Sequence, residues 1–204
     1  MIMGKVREEA NLFRFFLELA PLFAGERIAS RSQPLDHPPD VLCQTVEAQD
    51  FRSENDEILA AVDLIRSHTQ GHGIWVIDRG GDRKKLLEPL LDRTERFVIR
   101  STGKRSIIDC RKLCGTVAEV SGRCRLAHKA RIVKIQDSQE KVYELRYGAV
   151  AIQLPGRSEK LWLVVIAGLG GEHLMLLTNV PVTARDSQSV WWIVQIYLMR
   201  WKIE

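Results

Sequence analysis

Four residues in this 204-residue chain have types and spacing that could bring an acid, a phenol and a guanidinium to one ligand crevice: Asp78, at the end of the apolar run "GIWVID", and Tyr197, Arg200 and Glu204 in the terminal stretch "IYLMRWKIE". On an α-helix of ~100° per residue the last three fall within a sector of roughly 60°. A phenol, a guanidinium and a carboxylate would then face one cleft. An i, i+4 Arg–Glu pair is also a common surface pair of small energetic consequence, so the helix alone does not decide. Asp78 supplies the context, because the carboxyl end of an α/β strand is where such sheets open a ligand crevice. Its competing role is to cap the next helix, and Asp82 in "GGDR" could take either task.

The elements that must position these residues can be read from the pattern. "SENDEILAAVDLIRSHTQGHG" predicts a helix capped by Ser53 or Asn55, with acids in its first turn and Ile58, Val62 and Ile65 on one stripe. "GIWVID" predicts a buried strand ending at Asp78, and the glycines of "DRGGDR" a turn made without a Cβ penalty. A helix interrupted by Pro89 follows, then the strand "RFVIRST", an α/β order. From Gly103 to Pro181 the chain alternates strands, "KARIVKIQ", "KVYELRYGAVAIQL", "LWLVVIAGL" and "LMLLTNVPV". "SQSVWWIVQIYLMRWKIE" returns to helix, with Trp192, Ile196, Met199 and Ile203 as its packing stripe and the Tyr197 sector beside it. Trp75 reads as core and His72 as a turn residue. Residues 1–52, with three prolines in "RSQPLDHPPD", yield no clear element.

Composition sets the partner class. At 45% hydrophobic and 27% charged the chain can bury a core, and its first apolar run, "LFRFFLELAPLFA", is too short and too interrupted to cross a bilayer. A cytoplasmic protein is expected, with Cys43, Cys110, Cys114 and Cys124 as thiols rather than a disulfide framework. The formal charge of +4 is unevenly placed: residues 79–134 hold 16 Lys or Arg against 6 Asp or Glu. A polyanion is the expected partner, with a merely solvated basic surface as the plainer alternative.

Taken together, "WVIDRGGDR", a β-rich interval and "YLMRWKIE" resemble the DDE transposases of bacterial insertion sequences, in the branch marked by YxxRxxxE, over roughly residues 53–204. The resemblance implies an α/β, ribonuclease H-like fold: residues 53–103 part of the core, 104–182 a β-rich insertion, and 183–204 the helix bearing the catalytic glutamate. It implies DNA binding, metal-dependent DNA cleavage and strand transfer in transposition, on transposon ends and target DNA, near the bacterial nucleoid and without a membrane, the intact family member acting as a dimer. Asp78 and Glu204 would be catalytic ligands of Mg²⁺ or Mn²⁺, hard cations that prefer carboxylate oxygens. Tyr197 and Arg200 would hold the DNA backbone, and Arg79, Arg83, Lys84 and Lys85 would add sequence-independent phosphate contacts.

One family feature has no counterpart. Asp36 and Asp40 lie among prolines, Asp50 follows no apolar strand and Asp63 sits inside a helix, so the first aspartate is not found. The expectation is therefore a fragment shortened at both ends, unable to cut DNA unaided. Two alternatives stand beside it. One is a non-catalytic nucleic-acid-binding remnant; the other is a zinc-stabilised module on Cys110, Cys114, Cys124 and His128, spaced CxxxC, nine residues, CxxxH.

Overall fold

The computed structural model describes residues 53–136 and 139–200, with the side chains of 135 and 136 and of 139 outside the description. The described chain divides between His72 and Gly73 into two compact units. The first contributes helix α1 (Glu54–Thr69). Ser53 caps it by accepting from the Asp56 N–H, Glu54, Asp56 and Glu57 occupy its positive end, and Gln70 closes it in the left-handed conformation.

The second unit is mixed α/β. Strand β1 (Trp75–Ile77) leads through a 3₁₀ turn (Arg79–Gly81) into helix α2 (Lys84–Asp92), which returns to β2 (Phe97–Arg100). The two strands are parallel, with Trp75, Val76 and Ile77 opposite Phe97, Val98 and Ile99. Helix α2 runs through Pro89 rather than breaking there. Its stripe of Leu86, Leu87, Leu90 and Leu91 is buried, and that burial outweighs the one backbone bond the proline removes. The glycines of the turn serve a different end from the one expected. Neither Gly80 nor Gly81 has a positive φ; a Cβ on Gly81 would instead lie 2.1 Å from Cγ2 of Ile77, so the position is a matter of space.

Six further strands join the same sheet: β3 (Ser106–Asp109), β4 (Cys114–Thr116), β5 (His128–Gln136), β6 (Gln139–Gln153), β7 (Leu161–Ala167) and β8 (Leu174–Thr178). The order is β1-β2-β8-β7-β6-β3-β4, with β5 paired to β6 off that path. The β-rich interval is thus hydrogen-bonded to the β1–α2–β2 unit through the antiparallel β2–β8 pair, as one continuous sheet. The four long strands match the sequence reading. The short β3 and β4, and helix α3 (Val117–Arg123) with its Thr116–Glu119 capping box, were not foreseen.

Helix α4 (Ser187–Met199) starts at Asp186, whose carboxylate accepts from the Gln188 and Ser189 N–H groups. It packs over β2, β6 and β7, burying Val190, Ile193, Val194, Ile196 and Tyr197 against Val98, Val164, Ile166 and Leu176. The expected stripe is therefore corrected. Trp192 and Met199 are 37% and 40% exposed, Ile203 lies outside the described residues, and Tyr197 is inside the packing face at 0% exposure. The sheet prefers the β-branched side chains of this helix, which mesh with its own valines and isoleucines; Trp191 packs at the margin on Tyr147, ring centroids 5.3 Å apart.

Among the described residues no helix is long and apolar enough to cross a membrane.

Asp82 ties the start of α2 to the end of β2. It accepts from the Ser101 hydroxyl (2.7 Å), the Thr102 N–H (2.8 Å) and the Arg105 guanidinium (2.5 Å), with its side chain 1% exposed. Burial pushes its carboxyl up, but these partners outweigh that and hold it below the usual range. Its stabilisation is therefore present above an unfolded pKa of about 3.9 and is lost as pH falls through the lower folded value. Asp82→Ala is expected to cost about 2–4 kcal/mol in urea unfolding at neutral pH and much less near pH 3.

Candidate functional site

The site is assembled at the carboxyl ends of β1 and β2. Because the strands are parallel and in register, the residue after Ile77 and the residue after Ile99 lie side by side; these are Asp78 and Arg100. Arg100 Nη1 is 3.6 Å from Asp78 Oδ1. Across the crevice, α4 delivers Tyr197 and Arg200. The Tyr197 hydroxyl donates to Asp78 Oδ1 at 2.9 Å, and Arg200 Nη2 stands 3.4 Å from Oδ2, its guanidinium 5.5 Å from the Tyr197 ring centroid. Residues 119 positions apart in sequence thus meet on one carboxylate.

The helix geometry explains the pairing. Tyr197 lies on the buried face, so its ring fills the core and only its oxygen reaches the crevice; Arg200, one turn on, extends alongside that ring. Asp78 is 24% exposed and Arg200 9% by side chain, so the contact is partly shielded from water without being sealed.

The electrostatics follow from the partners. Burial would push the Asp78 carboxyl up, but the Arg79 backbone N–H, the Arg200 charge, the Tyr197 hydroxyl and the Arg100 charge together hold it below the ordinary carboxylate range. Asp78 is an anion at neutral pH. The Tyr197 phenol is pushed up to about 12, first by burial and next by the Asp78 charge, so it remains a donor. One carboxylate between two guanidiniums leaves the site with a net positive charge, a setting that attracts an anion.

Of the residues expected at the site, Asp78, Tyr197 and Arg200 are brought together. Glu204 lies outside the described residues. Arg79 is exposed beside Asp78, Arg83 is half-buried ahead of α2, and Lys84 and Lys85 are exposed on its first turn. Lys84 stands 3.5 Å from Glu88. Asp82 belongs to the clamp described above, which resolves its competition with Asp78. Arg100 was missed by the sequence reading. The signal for it was present: "WVID" and "FVIR" are matching apolar triplets followed by opposite charges.

A hard divalent cation can be tested against this donor set. Among the described residues no group of three His, Cys, Asp or Glu could hold a metal ion. Asp78 is the site's lone described carboxylate, both its oxygens face donors, and two guanidiniums repel a cation. The described residues therefore do not fit a divalent ion by themselves. Cys110, Cys114, Cys124 and His128, the residues of the zinc alternative, form no such group among the described residues either. Cys110 and Cys114 are exposed, Cys124 is half-buried with its thiol pushed up to about 11 by burial, and His128 lies 3.1 Å from the Ala184 carbonyl, with its ring 5.4 Å from that of Tyr147. Cys43 is outside the described residues.

No protein-family model matches the chain, and no curated protein matches it.

The raised Tyr197 pKa carries a pH dependence. A group raised on folding stabilises fully below its unfolded pKa, about 10 here, and that contribution is lost as pH climbs towards 12. An ultraviolet phenolate titration is expected to show one of the three tyrosines ionising near 12, and Tyr197→Phe to remove that last step while costing about 1–2 kcal/mol of stability at neutral pH.

Proposed function

We propose that this chain carries part of a transposase-type, ribonuclease H-like core, and that its site grips the phosphate backbone of DNA. The observation that supports this most is the Tyr197–Asp78 hydrogen bond. It places the helix bearing YxxR at the aspartate that ends β1, the juxtaposition that the resemblance to DDE transposases requires. The parallel β1–α2–β2 unit is compatible with such a core.

Within this reading the residues divide the work. Tyr197 is a positioning residue: its hydroxyl holds one oxygen of Asp78, and its ring lies 5.5 Å from the Arg200 guanidinium. Arg100, 30% exposed by side chain, presents a planar fork to a phosphate. Arg79, Lys84 and Lys85 extend the positive surface along the turn and the start of α2. In the resemblance, Asp78 and Glu204 would hold Mg²⁺ or Mn²⁺, which would polarise the scissile phosphate; the described donors fall short of that set.

The same donor set favours a second reading, a nucleic-acid-binding segment without chemistry of its own. Two guanidiniums against one carboxylate suit a phosphate better than a metal. The two readings share DNA as partner and part on catalysis.

Fluorescence anisotropy with duplex DNA is expected to show binding that weakens steeply with salt. Arg100→Gln should reduce the log–log salt slope by about 1 and weaken binding several-fold. Absence of salt-dependent binding would remove both readings. Supercoiled plasmid is expected to stay intact in Mg²⁺ or Mn²⁺; nicking abolished by Asp78→Ala would instead establish the catalytic reading over the binding one.

A further inference from the structure

A second cleft, of about 440 Å³, opens between the first turn of α2, the connection from β2 to β3 and the chain that leaves β6. A volume of this order is typical of small-ligand sites. None of Asp78, Arg100, Tyr197 and Arg200 lines it. Leu154, 6% exposed, and Pro155 give it an apolar side, and the other side is polar.

On the polar side Arg105 is the group prepared for a ligand. Its side chain is 15% exposed, and Asp82 takes only its Nε–H. The other oxygen of Asp82 is occupied by the Ser101 hydroxyl and by the N–H and hydroxyl of Thr102. The guanidinium is therefore fixed through one N–H, and its other four, on Nη1 and Nη2, meet no acceptor among the described residues. A guanidinium held at its inner edge and open at its outer edge suits the oxygens of a phosphate or a carboxylate. Its neighbours in the chain also line the cleft. Among the described residues Lys104 forms no ion pair and the Ser106 hydroxyl no hydrogen bond. The two carboxylates of the lining are already matched, Asp82 by Arg105 and Glu88 by Lys84 at 3.5 Å, which leaves the charge of Lys104 over.

We propose that this cleft binds a small organic phosphate, a monoester of the size of a nucleoside monophosphate. The Arg105 fork takes two oxygens of such a group and leaves the third for the Lys104 ammonium and the Ser106 hydroxyl; a carboxylate would be used up by the fork alone. Leu154 and Pro155 offer an apolar surface to the body of the ligand. The lining carboxylates Asp82 and Glu88 speak against a track for a polynucleotide, which needs cations along its length. The cleft depends on neither Asp78 nor the assignment of the chain to a transposase-type core.

Isothermal titration of the full chain with adenosine monophosphate is expected to show a single site, at which adenosine binds about tenfold more weakly or worse. Lys104→Gln and Ser106→Ala stand outside the Asp82 clamp, and each should weaken the monophosphate about threefold to tenfold at an unchanged melting temperature. Arg105→Lys, which keeps the charge and loses the fork, should weaken it by about tenfold. Arg100→Gln should leave it unchanged. Absence of binding, or equal binding of adenosine, overturns the proposal. So does binding that Arg100→Gln weakens and Lys104→Gln does not, because the ligand would then sit at the Asp78 site. Displacement of the monophosphate by a mixed-sequence DNA duplex, in the parent and in Arg100→Gln alike, also overturns it and gives the cleft to nucleic acid.

Discussion

The candidate site rests on one carboxylate held between two parts of the fold. Asp78 ends a short buried strand, and its oxygens are met by Tyr197 and Arg200 from a helix far along the chain and by Arg100 from the neighbouring strand. Its partners outweigh its desolvation and hold this half-shielded carboxyl below the ordinary carboxylate range. The reciprocal effect is on Tyr197, whose phenol is locked in its donor form. Position and protonation state are therefore fixed together.

The rest of the second unit is organised so that this contact forms. The parallel register of β1 and β2 sets Asp78 beside Arg100, and the Asp82 clamp, with its bonds to Ser101, Thr102 and Arg105, fixes the turn that follows Asp78. The antiparallel β2–β8–β7–β6 succession builds the apolar floor on which α4 lies. Strand β7 shows how: Val164 and Ile166 belong to the core beneath α4, while Leu161, Leu163 and Val165, of opposite parity, are buried on the other face. Being covered on both sides, β7 reads as one apolar run.

Much of this was legible in sequence, and the failures have physical causes. Strands buried on both faces and the long amphipathic β6 carry strong patterns, as does α1 with its cap and acidic first turn. Residues Cys114–Thr116 and Ser106–Asp109 were missed because three- and four-residue strands carry too few side chains to show a period. The face of α4 was misjudged because a helix with apolar residues nearly all round has no strong stripe; the sheet chose Val190, Ile193 and Val194 over Trp192 and Met199. Asp78, Tyr197 and Arg200 were found because their types and order matched a known pattern. Arg100 was not, since its role depends on a strand register that only the folded sheet reveals. Cysteine spacing along a chain permits a tetrahedral site, but in the fold Cys110 follows β3, Cys114 opens β4, Cys124 closes α3 and His128 opens β5, and among the described residues they form no group that could hold a metal ion.

The central claim, that α4 and β1 are joined energetically through Asp78, is tested most directly by a double-mutant cycle. Unfolding free energies of the parent, Asp78→Ala, Tyr197→Phe and the double variant would be measured in urea at neutral pH. The account predicts a coupling of about 1–2 kcal/mol between the two positions; single effects that add within about 0.5 kcal/mol would contradict it.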